Sequence, residues 1–98
     1  MADMHDKVVV ITGATSGIGS VAAGKLAQMG ARIVLIARDR QRGEATLQQL
    51  RAAGPAAAHS VYYANLSAIS EMKRVAAEIA AAEPRIDVLI NNAGALYS

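Results

Sequence analysis

A glycine-rich turn between a strand-like run and a helix-like segment constrains the fold more than any other feature of the chain. The run Val8–Ile11 is continuous, apolar and rich in β-branched residues, which predicts a strand buried on both faces. It leads into Thr12–Gly19, whose glycines are spaced G-x-x-x-G-x-G, and then into residues with helical spacing. This order puts a helix N-terminus at the carboxyl edge of a sheet, where unpaired N–H groups and the helix dipole favour an anion such as a pyrophosphate.

Strand-like and helix-like segments alternate along the rest of the chain. The predicted strands are Lys7–Ile11, Arg32–Ala37, His59–Ala64 and Asp87–Asn91. Three helices are predicted between them: one from the glycine turn to about Met29, one from about Asp39 to Ala53, and one capped by Ser67 and closed by Pro84. The alternation implies right-handed βαβ units, and therefore an α/β fold of the Rossmann type. The expected architecture is half of a doubly wound parallel sheet with strand order 3-2-1-4 and helices on both faces.

Apolar residues and glycines predict which helix faces are buried and where the helices end. The first helix carries an apolar face of Ile18, Val21, Ala22, Leu26 and Met29; the second has Gly43, Leu47 and Leu50 on one side; the third has a stripe of Ile69, Met72, Val75, Ala76 and Ile79. Gly30 and Gly54 stand just past the first two helices, where a glycine can adopt positive φ.

Composition excludes several classes of protein. At 98 residues the chain is one domain at most, and its net charge of +2 comes from scattered bases, which argues against a nucleic-acid surface. The absence of cysteine fits a reducing cytosol. The first residues are polar and no apolar run approaches the ~18 residues of a membrane span, so we expect a soluble, cytoplasmic protein. His5 and His59 have no metal-ligand neighbours; we expect His5 to be disordered and His59 simply to end a loop.

The glycine turn Thr12-Gly13-Ala14-Thr15-Ser16-Gly17-Ile18-Gly19, followed by Asn91-Asn92-Ala93-Gly94, resembles the short-chain dehydrogenase/reductase family. The resemblance covers essentially the whole chain, and Arg38–Glu44 with Asn91–Ser98 look like its retinol-dehydrogenase-like branch. It implies an NAD(P)-dependent oxidoreductase with a dinucleotide cofactor and a small alcohol or carbonyl substrate, without nucleic-acid or membrane partners, a homo-oligomer being one option for the parent protein.

Resemblance and physical chemistry together assign cofactor-binding roles. The expected pyrophosphate contacts are Gly13, Thr15, Ser16, Gly17, Ile18 and Gly19, although Thr12 and Thr15 could equally be plain turn-forming hydroxyls. Asn65 and Leu66 are expected beside the adenine, and Asn65 could equally be a turn-former. Asn92, Ala93 and Gly94 are expected beside the ribose, and Asn91 is expected to brace the sheet. The resemblance also implies that the Thr12 hydroxyl forms a hydrogen bond to the turn that begins at Asn91.

The end of the second strand predicts the cofactor. NAD-preferring members of the family carry an acid at the last strand position, which is Ala37 here, and NADP-preferring members carry a base at the next, which is Arg38. A guanidinium is a bidentate, always-charged partner for a 2′-phosphate. Asp39 lies at nearly the distance from the glycine motif at which an acid bonds the ribose hydroxyls of NAD, so it is a candidate for that role. Because it follows Arg38, it is better explained as an N-cap of the next helix, and NADP is favoured over NAD. The alternative for Arg38 is a solvated surface charge. Arg40 and Arg42 are expected to be solvated, with a contact to the phosphate as the less favoured alternative.

The family's catalytic Ser, Tyr and Lys, which the resemblance would place beyond Gly94, are not present before Ser98, and Tyr97 lacks the required Lys. We therefore expect residues 1–98 to be the N-terminal dinucleotide-binding part of a single Rossmann-type domain, inactive by itself and with Val88–Ile90 as a bare sheet edge. Two alternatives are a complete, non-catalytic dinucleotide-binding or sensing module and an interaction scaffold that has lost the ligand.

Overall fold

The computed structural model describes residues 3–13, 17–55 and 57–91, and strands alternate with helices throughout these ranges. The elements are β1 (Val8–Thr12), α1 (Gly17–Gln28), β2 (Arg32–Ala37), α2 (Arg40–Ala53), β3 (Ser60–Tyr63), α3 (Ile69–Ala82) and β4 (Val88–Asn91). The strands pair in parallel in the order β3-β2-β1-β4, which confirms the predicted α/β Rossmann-type topology. Predicted and observed boundaries agree to within about two residues for most elements.

The two faces of the sheet carry separate hydrophobic clusters because alternate residues of each strand point to opposite sides. On one face, Val9 and Ile11 of β1 pack with residues from α1, α2 and β2. On the other, Val8 and Val10 pack with Val75 and Ile79 of α3. Two helices thus cover one face and one helix covers the other, with β1 buried between them.

The buried face of α1 differs from the predicted one. Ala23 and Ala27 are fully buried against the sheet, whereas Val21 is 60% exposed. Alanines let the helix backbone approach β1 and β2 closely, so the packing surface is set by small side chains and not by the largest apolar ones. The prediction weighted residue size, and for Val21 it was wrong.

The two glycines that follow helices have different roles. Gly30 has φ +97°, as predicted for the position just past a helix end. Gly54 has φ −138°, so the prediction of a left-handed cap there was wrong. A Cβ at Gly54 would lie 2.1 Å from the carbonyl oxygen of Ala27, which shows that glycine is needed for close contact between the end of α2 and α1.

The beginning of α3 also departs from expectation. Its N-cap is Ala68, which offers no side-chain hydrogen bond, so Ser67 is not the cap that we predicted. Of the predicted stripe, Val75 and Ile79 are buried, while Ile69 and Met72 are 70% and 48% exposed. The prediction was therefore right for Val75 and Ile79 and wrong for Ile69, Met72 and Ala76, which are exposed.

Polar contacts hold together the edge at which the four parallel strands begin. Arg32 donates Nε to Glu83 Oε1 at 3.0 Å and Nη2 to Glu83 Oε2 at 2.7 Å, and Glu83 is buried. The Arg32 guanidinium, whose pKa is raised first by this hydrogen-bonded carboxylate, also donates to the Ala58 carbonyl. Asp87 accepts a hydrogen bond from Val8 N at 2.8 Å, and this bond keeps the pKa of the Asp87 carboxyl below its usual value.

His59 is the last residue before β3, as expected for the end of a loop, but it is also a buried part of the same edge with two hydrogen-bond contacts, which the sequence analysis missed. Its Nδ1 accepts a hydrogen bond from Ile33 N at 3.0 Å, and Nε2 lies 2.7 Å from the Gly54 carbonyl oxygen. The acceptor role of Nδ1 requires Nε2 to carry the proton, so the neutral ring satisfies both contacts. His5 lies in a turn, where its backbone N donates to Asp3 Oδ1 at 2.9 Å.

None of the helices within the described ranges is both long and apolar enough to cross a membrane. Those ranges also contain no group of three or more acidic, histidine or cysteine side chains that could hold a metal ion.

Candidate functional site

The carboxyl edge of the sheet brings the first predicted site residues together. Gly13 follows β1 directly, adopts φ +67°, and donates its backbone N–H to the Ile36 carbonyl oxygen at 3.1 Å. A side chain would be strained at this φ, which explains the glycine. Four positions later Gly17 begins α1, with Ile18 and Gly19 in its first turn. Thr15 and Ser16 lie outside the described residues, so their predicted contacts remain predictions.

Thr12 joins the ends of β1 and β4. Its hydroxyl donates to Asn91 Oδ1 at 2.9 Å, and the two residues are register partners in the parallel ladder. This confirms that Thr12 bonds to the turn motif after β4 and that Asn91 braces the sheet. Asn92, Ala93 and Gly94 lie outside the described residues, and their place beside a ribose stays a prediction.

A hollow of about 570 Å³ lies beside Gly13 at the end of β2. Ala37 is the last residue of β2, as predicted, and Arg38 follows it with its side chain exposed. Among the residues that the structure describes, Gly13, Ala37, Arg38, Asp39 and Arg42 line the hollow. Gly13, which follows β1, and Arg38, which follows β2, therefore line the same hollow.

Asp39 is engaged in capping α2. Its Oδ1 accepts hydrogen bonds from Gln41 N at 2.9 Å and from Arg42 N at 3.3 Å. These are two of the unpaired N–H groups at the helix N-terminus, so the predicted N-cap is confirmed. The last position of β2, directly before Arg38, is occupied by Ala37 and not by an acidic residue.

Tyr63 organises the opposite side of the first turn of α2, a role that the sequence analysis missed. Its hydroxyl hydrogen-bonds to the Glu44 carboxylate and to the Arg40 carbonyl oxygen, the latter at 3.2 Å. The Arg40 guanidinium lies over the Tyr63 ring, 4.2 Å from its centroid. Desolvation, followed by the hydrogen bond to Glu44, raises the pKa of Tyr63 to about 12. The sequence signal was Gly43, since a Cβ there would lie 2.6 Å from the tyrosine ring.

Asn65 forms a turn after β3. Its Oδ1 accepts from Ser67 N at 3.1 Å and from Ser67 Oγ at 2.6 Å, which confirms the turn-forming interpretation. The side chain is exposed, and a contact with an adenine stays a prediction. Leu66 is partly buried and packs against the cluster beneath α3.

A second, smaller hollow of about 250 Å³ lies at the opposite edge of the sheet, lined by His5, Asp6, Val8, Gly30, Arg32, Ala57 and Ala58. Its arginine is already paired with Glu83 and with a carbonyl oxygen. The strands begin at this edge, whereas ligands of open parallel sheets bind outside the carboxyl ends of the strands. The larger hollow is therefore the candidate site.

The residues at the carboxyl edge fit a dinucleotide. Gly13 is exposed and carries no side chain, the positive end of the α1 dipole follows it, and Arg38 and Arg42 supply two positive charges beside it. An anionic ligand in this hollow would meet complementary charge from Arg38 and Arg42.

Comparison with known proteins agrees with this geometry. A family model described as short chain dehydrogenase matches residues 7–98. The chain is 39% identical to retinol dehydrogenase 14 of Mus musculus over 96% of its own length and 31% of that protein. It is 38% identical to dehydrogenase/reductase SDR family member 13 of Bos taurus, covering 96% of the chain and 25% of the relative.

A solved structure described as the Pseudomonas aeruginosa RhlG/NADP active-site complex superimposes with a TM-score of 0.83. It is 30% identical, and the match covers 94% of the present chain and 36% of that one. The chain thus spans about a quarter to a third of the length of the two curated relatives.

Proposed function

The chain belongs to the short-chain dehydrogenase family, and on that premise we propose that it is the NADP(H)-binding part of an oxidoreductase that interconverts an alcohol and a carbonyl. The observation that carries the proposal is the position of Arg38. It follows Ala37 directly, lines the same hollow as Gly13, and stands beside an aspartate whose carboxylate already caps α2. A guanidinium at this place favours a ligand with an additional phosphate on the adenosine.

In this proposal the residues of the candidate site bind the cofactor, and none of them has a catalytic role. Gly13, Gly17 and Gly19 let the backbone approach the diphosphate, and Arg38 selects the phosphorylated adenosine. The nicotinamide cofactor, when bound, supplies or accepts the hydride. The proton transfer that accompanies it belongs to the Ser, Tyr and Lys that the family resemblance assigns to the parent protein, so the 98-residue chain should bind without catalysing.

Residues 1–98 are, in the same proposal, the N-terminal part of one Rossmann-type domain. The short coverage of the relatives supports it, since the chain matches only 31% of retinol dehydrogenase 14. That relative's name supports a lipophilic alcohol or carbonyl as the substrate of the parent protein. A cytoplasmic location is proposed on composition alone.

Replacing Arg38 tests the cofactor assignment. We expect Arg38→Ala in the intact protein to raise the Kd for NADPH about tenfold or more, since a hydrogen bond between charged groups contributes about 1.5 kcal/mol or more. The Kd for NADH should change less than about twofold. Fluorescence titration of the two reduced cofactors measures both values.

Arg51→Ala is the matched control because it removes the same charge from an exposed position near the far end of α2. It should leave both affinities unchanged. Equal losses for NADPH and NADH in Arg38→Ala would reject the NADP assignment, and no binding of either cofactor by the folded wild-type protein would reject the dinucleotide function.

A further inference from the structure

The first turn of α2 carries an unusual charge pattern. It contains Arg40 and Arg42 and no acidic residue, although the positive end of a helix dipole favours acids in this turn. Arg38 adds a third guanidinium just before the N-cap. Three arginines thus lie within five residues of one another, and of these Arg38 and Arg42 line the hollow.

The surroundings of Arg40 hold it away from the hollow. Its guanidinium lies over the Tyr63 ring at 4.2 Å, and its carbonyl oxygen accepts from the Tyr63 hydroxyl at 3.2 Å. The same hydroxyl is bonded to Glu44 one turn further along α2. Arg40 is therefore compensated by an aromatic face on the β3 side of the helix, and it is absent from the lining of the hollow.

Arg42 has the opposite environment. It lines the hollow together with Arg38 and Gly13, and its side chain is 70% exposed. Its charged neighbour, Asp39 Oδ2, lies 3.9 Å from its Nε, at the outer limit of an ion pair. The other oxygen of that carboxylate is bonded to two backbone N–H groups. An exposed pair at this distance is weak, so Arg42 can turn to a stronger anionic partner at little cost.

We propose that Arg42 is a second specificity-determining residue, which together with Arg38 binds the additional phosphate on the adenosine of the cofactor, while Tyr63 keeps Arg40 out of the site. This inference rests on the proposed function and distinguishes Arg42 from Arg40, which the sequence analysis treats alike. A phosphate dianion can accept from two guanidinium groups, and its charge would offset the unfavourable placement of Arg42 against the dipole of α2.

The test compares two arginines in the same helical turn, using the intact protein and two small probes. Adenosine 2′,5′-bisphosphate carries the additional phosphate, and adenosine 5′-phosphate lacks it. We expect Arg42→Ala to raise the Kd for the bisphosphate about three- to tenfold, as for an exposed charged hydrogen bond, and to leave the monophosphate within about twofold. Arg42→Lys, which keeps the charge and loses the planar fork, should fall between wild type and Arg42→Ala.

Arg40→Ala is the matched control, since it removes the same charge from the same turn and should leave both affinities within about twofold. Thermal melting of each variant verifies that the fold is intact. Equal effects of Arg40→Ala and Arg42→Ala, or no effect of Arg42→Ala, would overturn the inference. Arg38→Ala distinguishes failure of this inference from failure of the NADP assignment. If Arg38→Ala weakens binding of the bisphosphate alone and Arg42→Ala does not, the NADP assignment stands and the role of Arg42 is rejected. If neither substitution distinguishes the two probes, the NADP assignment is rejected as well.

Discussion

Single side chains near the carboxyl edge divide between ligand-facing and structural roles, and Tyr63 belongs to the second group. Its ring fills the space left by Gly43 and supports Arg40, and its hydroxyl bonds to Glu44. The tyrosine therefore joins β3 to the first turn of α2. This contact fixes the backbone beside Arg38 without meeting the hollow that Arg38 lines.

The titration of Tyr63 provides a measurement of that contact. Because its pKa rises from about 10 in the unfolded chain to about 12 in the folded one, the unfolded state loses the phenolic proton first as the pH rises. The stabilisation is complete below about pH 10 and disappears as the pH rises through about 12. We expect an ultraviolet titration near 295 nm to show a late phenolate component that is missing in Tyr63→Phe.

Tyr62→Phe is the control, and it should keep the late component. Between about pH 10 and 12 the free energy of unfolding should decrease less in Tyr63→Phe than in the wild type. A late component that persists in Tyr63→Phe would contradict the assignment.

Many residues with local roles can be predicted from the sequence by physical chemistry, whereas long-range contacts cannot. The long-range bond between Thr12 and Asn91 was predicted only because the family resemblance implies it. Asp39 is predictable as an N-cap because a cap bonds to N–H groups two and three residues away. The contacts of His59 were missed because its partners, Ile33 N and the Gly54 carbonyl oxygen, are brought to it by the sheet and by the end of α2. The contacts of Tyr63 with Arg40, Gly43 and Glu44 were missed for the same reason.

Among the elements, α1 and α2 show how small residues control packing. The alanine face of α1 lies on the sheet, and Ala27 also meets Gly54 at the end of α2. Periodicity predicts both helices well, since it depends only on spacing along the chain. It cannot predict which stripe of α1 is buried, because that depends on how closely neighbouring backbones approach.

Two glycine-to-alanine substitutions test this explanation. Gly54→Ala should lower the free energy of unfolding by about 2 kcal/mol or more, because the new Cβ would overlap the Ala27 carbonyl group. At Gly24, in the middle of α1, an added Cβ would have no neighbouring heavy atom within 4 Å. Gly24→Ala should therefore raise the free energy of unfolding by up to about 1 kcal/mol through helix propensity. Urea denaturation of both variants measures the difference, and equal destabilisation by the two changes would show that contact with Ala27 is not the cause.

For the molecule as a whole, the topology follows from the sequence because alternating strands and helices with right-handed crossovers leave few arrangements. The strand order also explains why β4 is exposed. It is an edge strand that pairs only with β1 among the described strands, and its Leu89 side chain is 66% exposed. A β-strand edge with exposed apolar side chains can pair with another chain.

The edge can be tested in the isolated 98-residue chain. We expect it to self-associate at micromolar concentration, and Leu89→Lys to reduce that association severalfold because a charge on an edge strand opposes pairing. Sedimentation velocity reports the distribution of species. Met72→Lys, which places the same charge on the exposed side of α3, should have little effect. A wild-type chain that is monomeric throughout, or equal effects of the two substitutions, would exclude β4 as the cause.

The ion pair of Arg32 with Glu83 and the buried His59 lie where the strands begin, while Gly13, Arg38 and Arg42 lie where β1 and β2 end. The full length of each strand separates the two groups. The residues from Arg38 to Arg42 can therefore be substituted, in evolution or by design, without changing the contacts at the edge where the strands begin. If Arg38 and Arg42 bind the cofactor as proposed, replacing these two exposed side chains alone should change the nucleotide preference and leave the melting temperature unchanged, because Asp39 still caps α2 and Arg40 still contacts Tyr63.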